Sequence, residues 1–269
     1  MRGKVLLGWL PRDQAVPYLQ NECIFDPPLT ADRAEALWAE KKAIVDALEP
    51  RLAPSPATLE MTAAEREVAD RFLAFYRQRP GGLGHIRQVV KLDPCGLVVH
   101  QLGVNLDRAN EYARHTHAAT WSARNCLATE RPNPQLNMTI LPNGWDLSLP
   151  HGEFMLAFNG QVFGIVQGAP HVSVSAAERR TVLWAGYHRC YARVATVNPA
   201  AMDRSVLAAL TDEGTLAVAT NQALRDLVLA ERPPLLSDFF DERFFMEVQL
   251  RPKRYELQIR VKVAQINAG

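Results

Sequence analysis

The sequence predicts an α+β protein, and three observations carry that expectation. Apolar residues recur at helical spacing through the first 80 positions. The middle of the chain alternates short apolar runs with turn dipeptides, and residues 183–192 read as a strand that turns through glycine into a helix. The organisation that follows is a helical N-terminal lobe over 1–82, a mixed β-rich central domain over 83–199, and a C-terminal part over 200–269 with helices and a final strand.

Each element has a local reason. Thr30 can cap a helix over 31–49, whose face carries Ala34, Leu37, Trp38, Val45 and Leu48 before Pro50 stops it. After the connector Pro54-Ser55-Pro56, Thr62 and Glu65 have the spacing of a capping box. The helix behind them bears Val68, Phe72, Phe75 and Tyr76, and Arg79-Pro80-Gly81-Gly82 ends it. His85–Val90 and Gly96–Leu102 predict strands around the Asp93-Pro94 turn, and 107–127 predicts a helix carrying Ala109, Tyr112, Ala113, Thr116, Thr120 and Ala123. Asn143-Gly144 and Asn159-Gly160 lie between apolar runs and suit two-residue hairpin turns. Helices are expected again over 200–211 and 216–231, until Pro233-Pro234. A mixed aromatic segment spans Leu235 to Met246. Strict alternation over Tyr255–Val263 predicts a half-buried strand whose wet face shows Glu256, Arg260 and Lys262.

Bulk properties bound the function. A chain of 269 residues with 48% hydrophobic and 22% charged residues can bury a sizeable core. The net charge of +1 lacks the basic excess that many phosphate contacts demand, so net charge does not support nucleic-acid binding, although a local patch stays open. Cys23, Cys95, Cys126 and Cys190 are scattered without a C-x-x-C pair, which suits reduced thiols. The run from Val5 to Leu10 is too short for a signal peptide, and no stretch approaches the roughly 20 apolar residues of a membrane span. A cytoplasmic protein that makes no membrane contact is expected.

The stretch Leu183-Trp184-Ala185-Gly186-Tyr187-His188-Arg189-Cys190-Tyr191-Ala192 holds the best candidate site. A strand that turns through glycine into a helix presents free N–H groups and a positive dipole end, where an anion is favoured. His188 and Arg189 add two cationic or hydrogen-bonding groups, which suggests a phosphate site. A structural role is equally consistent: Gly186 would give a tight bend, His188 would bond a carbonyl, and Arg189 would pair with an acid such as Asp203.

This segment resembles the signature box of the ParB/sulfiredoxin superfamily. Gly186, Arg189 and Ala192 fall on the spacing of the ParB Gly-Glu-Arg-Arg box, and Gly186-Tyr187-His188-Arg189 matches the sulfiredoxin Gly-Cys-His-Arg turn at three of four positions. Weaker similarity lies in Arg131-Pro132-Asn133-Pro134-Gln135 and in Asn221 to Leu227, where Thr220 stands in place of a glutamate. The resemblance implies a nucleotide or another phosphorylated small molecule held by Gly186, Tyr187, His188 and Arg189, with Asn221 and Arg225 nearby, and ATP or CTP with magnesium as possible ligands. Tyr187 occupies the place of the sulfiredoxin's catalytic cysteine, so sulfinic-acid reduction is not implied.

Two other classes remain open. His151, His171 and His188 with Glu153 as base would suit a metal-dependent hydrolase, whereas His115 and His117 would diverge on a helix. A non-catalytic interaction module would use Phe239, Phe240, Phe244 and Phe245 as its contact surface. No nucleophile elbow, Walker loop or dinucleotide fingerprint is present, and Gly81-Gly82-Leu83-Gly84 follows a helix rather than a strand. The basic-aromatic run Arg251-Pro252-Lys253-Arg254-Tyr255 suits either phosphate contact or a solvated turn.

Overall fold

The first apolar run is extended rather than helical. In the computed structural model, β1 (Arg2–Val5) leads through a tight turn at Leu7–Trp9 into α1 (Arg12–Pro17), and the chain then reaches β2 (Cys23–Ile24). Four residues with burial alternating toward Gly3 and Val5 are too few for a helix, and their partners lie far along the chain, so pairing overrides local preference. The structure describes residues 1–50, 55–77, 86–114, 116, 118, 120–128, 171–198, 200 and 203–251, together with the backbone of four strands between 137 and 167. The expected strand at Tyr255–Val263, the glycine run 81–84 and the segment 131–135 lie outside the described residues.

Thr30 caps α2 (Ala31–Asp46) by accepting from the Arg33 N–H. Before α3 (Ala63–Arg77), the Thr62 N–H donates to Glu65 Oε2 at 2.8 Å and the Glu65 N–H to Thr62 Oγ1 at 3.2 Å, the reciprocal pair of a capping box. β3 (Ile86–Leu92), β4 (Val98–Val99) and β5 (Gly103–Asn105) follow.

The helix expected over 107–127 is two helices, α4 (Leu106–Ala113) and α5 (Trp121–Cys126). Arg114 turns extended, and the Thr116 carbonyl accepts from the Arg193 guanidinium, so a tertiary hydrogen bond replaces the helical one. β6 (Asn137–Leu141) pairs with β7 (Gly144–Ser148), Leu141 opposite Gly144, so the connection is two residues long but Gly144 belongs to the strand and the expected Asn143-Gly144 pair is one position out of register. β8 (Phe154–Phe158) pairs with β9 (Phe163–Gln167), but Phe158 lies opposite Phe163, so four residues rather than two make that loop.

β10 (Ser173–Ala177) and β11 (Arg180–Ala185) form a further hairpin, and α6 (Tyr187–Thr196) follows Gly186 directly. Within the helix expected over 200–211, the structure instead forms a strand, β12 (Val206–Thr211). It lies centrally between β3 and β10 and is buried on both faces, where a strand becomes a continuous apolar run that periodicity cannot distinguish from a buried helix. The helix expected over 216–231 is also divided, into α7 (Glu213–Thr220) and α8 (Gln222–Leu229), because Asn221 is extended and its side chain accepts from the Leu224 N–H to cap α8. β13 (Met246–Leu250) is the last described strand.

This α+β architecture has two principal sheets. One is antiparallel, in the order β2-β13-β1-β5; the other is mixed, in the order β3-β12-β10-β11-β4. Helices cover both faces of the mixed sheet. Val206 and Ala208 pack with Leu183, Tyr187 and Cys190 on the α6 side, whereas Leu207 and Ala209 meet Phe72 and Tyr76 of α3 on the other. Full burial of a side chain such as Phe72 contributes about 2–3 kcal/mol. Among the described residues no helix is long and apolar enough to cross a membrane.

Lys91 of β3 fastens α3 to this sheet. Its ammonium lies 3.1 Å from a Glu65 carboxylate oxygen and 3.1 Å from Asp203 Oδ2. Lys91→Met removes the cation that these two acids share. Stability is expected to fall by about 2 kcal/mol in urea unfolding, less than the roughly 3–5 kcal/mol of a fully buried pair because Asp203 keeps solvent contact.

Candidate functional site

Gly186 makes the strand-to-helix bend for a steric reason. Its φ is +94°, and a Cβ there would lie 2.7 Å from Val172 Cγ2 and 2.9 Å from Val172 Cα. Only glycine satisfies both the left-handed backbone and this approach. The bend sends α6 back across the sheet.

The four turn residues then separate in role. Tyr187 is buried, and its hydroxyl accepts from the His100 N–H at 3.0 Å and the Gln101 N–H at 3.1 Å while donating to the Leu183 carbonyl at 2.6 Å. It is a pin inside the protein and offers nothing to a ligand. His188 is half-buried, and its Nε2 accepts from the Asn105 N–H at 3.2 Å. Burial first, then the nearby charges of Arg108 and Arg189, push its pKa down to about 3. Of the two roles expected for His188, cationic or hydrogen-bonding, this geometry favours the neutral, hydrogen-bonding one, with Nε2 already accepting from the backbone.

Arg189 differs from both. It is 8% exposed, its Nε has no hydrogen-bond partner, and its Nη2 reaches the Tyr112 hydroxyl only at 3.5 Å. The guanidinium lies over the Tyr112 ring, 4.9 Å from its centre. Among the described residues no carboxylate pairs with it, so the expected link to Asp203 is not made. That acid's carbonyl instead accepts from Arg193 Nη2 at 2.6 Å, and its carboxylate serves Lys91 and Ser205. Arg193 is 7% exposed, lies one turn further along α6, and also has an unpartnered Nε. It was missed in the sequence, although the i,i+4 repeat of arginine along an otherwise small and apolar helix was a readable signal.

Asn221 and Arg225 lie elsewhere. Asn221 spends its side-chain oxygen on the α8 cap, and Arg225 sits 3.9 Å from Glu178 in the β10–β11 turn. Six-residue β11 separates that turn from Gly186, about 20 Å of extended chain. The structure therefore does not bring these two residues to Arg189.

The other candidate groups have their own partners. His171 is buried against Phe72 and Tyr76, with its Nδ1 3.2 Å from the Tyr76 hydroxyl. His115, His117, His151 and Glu153 lie outside the described residues, and among those described no group of three His, Cys, Asp or Glu side chains is placed to hold a metal. Phe239 and Phe244 are core residues, Phe240 stacks on Tyr191 at 4.7 Å, and Phe245 lies 3.6 Å beneath the Lys4 ammonium. These rings are committed to internal packing rather than to an exposed contact surface. All four cysteines are free; burial pushes the Cys126 thiol up to about 11 and Cys190 well above its usual value, so neither is a ready nucleophile.

The fold and site thus define an α+β chain whose glycine-capped helix carries two buried, incompletely satisfied guanidiniums. No family model matches the chain, and no curated protein or solved structure matches it.

Two measurements test these assignments. Tyr187→Phe strands the His100 and Gln101 N–H groups and is expected to lose about 2–3 kcal/mol in urea unfolding. Arg189→Met replaces a charge that lacks a counterion with an apolar chain of similar length; its melting temperature without ligand is expected to equal or exceed that of the unaltered protein.

Proposed function

We propose that the protein binds the phosphate of a nucleotide or another phosphorylated small molecule at the first turn of α6, with Arg189 as the anchor. The observation that carries this reading is the buried Arg189 guanidinium, with an open Nε and no carboxylate partner among the described residues. Burying an uncompensated cation costs several kcal/mol, and an anion supplied from outside offsets that cost. Guanidinium suits phosphate because its planar fork donates two parallel hydrogen bonds. Tyr187 sets the direction of the helix, His188 fixes the Asn105 backbone, and Arg189 alone of the turn residues remains for the ligand.

In this reading ATP or CTP is one form of the phosphorylated ligand, with magnesium carried on its phosphates. Asn221 and Arg225 have no part in it. The assignment concerns binding, and no described side chain is proposed as a nucleophile or general base.

Thermal unfolding in the presence of ATP, CTP and inorganic phosphate, with and without magnesium, provides the test. A ligand at about a hundredfold its Kd stabilises by about 2.7 kcal/mol, and Arg189→Met is expected to abolish that shift while remaining folded. An undiminished shift in the variant overturns the assignment, as does the absence of any shift in the unaltered protein.

A further inference from the structure

We propose that Lys4 is a methylation site, and that its dimethylammonium form is the guest that the rings of Tyr191, Phe240 and Phe245 are shaped to hold. This box shares no residue with the phosphate site. Among the described lysines, Lys91 lies between two acids, Lys42 pairs with Asp46, and Lys41 donates to the carbonyls of Glu242 and Arg243. Lys4 differs from all three. Its ammonium lies 3.6 Å from the centre of the Phe245 ring, 5.7 Å from that of Tyr191 and 5.9 Å from that of Phe240. Among the described residues its hydrogen-bond acceptor is the Phe239 carbonyl, at 3.1 Å. Burial pushes its pKa down, against the pull of Glu247, opposite it on β13, and of Glu242. Neither acid makes an ion pair with it, so rings rather than carboxylates hold the charge.

A methylated amine matches these surroundings better than a bare one. An unmodified ammonium carries three N–H donors, and the described residues give it one acceptor. A dimethylammonium carries one N–H, which the Phe239 carbonyl takes, and two methyl groups for the rings. An N–C bond of about 1.5 Å followed by a carbon contact of about 3.5–4.0 Å spans the distances to Tyr191 and Phe240. Phe245 is already in contact with the nitrogen and leaves no room for a third methyl. Methylation keeps the positive charge that the rings attract, whereas acetylation removes it. A sulfonium donor supplies each methyl group. The neutral amine attacks the methyl carbon, the carbon–sulfur bond breaks to release a thioether, and the amine's proton passes to water. A methyltransferase can reach the amine because Lys4 is made before all three rings, and because Lys4, Phe240 and Phe245 each keep part of their surface in solvent.

Peptide mass spectrometry of the full chain isolated from its native cells provides the test, with two methyl groups expected on Lys4. Thermal unfolding adds a readout of fit, on full chains made with lysine, dimethyllysine or acetyllysine at position 4 by genetic-code expansion. The dimethyl form is expected to melt about 2–4 °C above the unmodified chain, and the acetyl form below it. In Phe240→Leu, which removes a ring but keeps the position apolar, the gain from dimethylation should disappear. Comparison of the three forms of the otherwise unaltered chain decides the matter even if that variant fails to fold. Lys4 without two methyl groups in the native protein overturns the modification. A dimethyl form that melts no higher than the unmodified chain overturns the fit of the box.

Discussion

The phenol of Tyr187 joins parts of the chain that are otherwise only neighbours. It receives two backbone N–H groups from the connection between β4 and β5 and returns its own hydrogen to the end of β11. A buried hydroxyl satisfied three ways permits little rotation of the helix that bears it. Because Gly186 has already set the direction of the bend, α6 is held both at its start and along its axis. That constraint places Arg189 beneath Tyr112 of α4 and Arg193 against the Thr116 turn. The interior of the mixed sheet and the position of its two arginines have one origin.

Charge is handled differently at two places along that sheet. Lys91 is enclosed by two acids and locks α3 to β3, so its burial is compensated within the protein. Arg189 has an aromatic face and one long contact instead, and Arg193 has two carbonyls. Ring faces and carbonyls attract a guanidinium but leave its charge unmatched. The fold thus neutralises one buried cation with acids of its own and leaves Arg189 without a carboxylate partner among the described residues.

What could be read from the sequence was local. The capping box at Thr62 and Glu65 and the bend at Gly186 are legible because cause and effect lie within a few residues. β12 is not, because Val206–Ala209 is apolar on both faces and carries neither period. The break between α4 and α5 depends on Arg193, nearly eighty positions away, and nothing between 113 and 120 announces it. At the site, residue types and spacing located the turn but gave no side-chain direction. Whether Tyr187 and His188 face a ligand or the interior is decided by His100, Gln101 and Asn105, none of which belongs to the motif.

The placement of β1 bears on how the chain must be made. It is synthesised before either of its partners, and it lies inside its sheet between β5 and β13. The Met1 amino group bonds the Leu250 carbonyl across 249 positions. During translation one margin of β1 can be covered once residue 105 emerges, while the other waits for residue 250. Throughout that interval a nascent chain displays an unpaired strand margin, a template for the wrong neighbour. Arg2 and Lys4, the alternate residues of β1, set positive charge along that margin and discourage a second growing copy from adding to it.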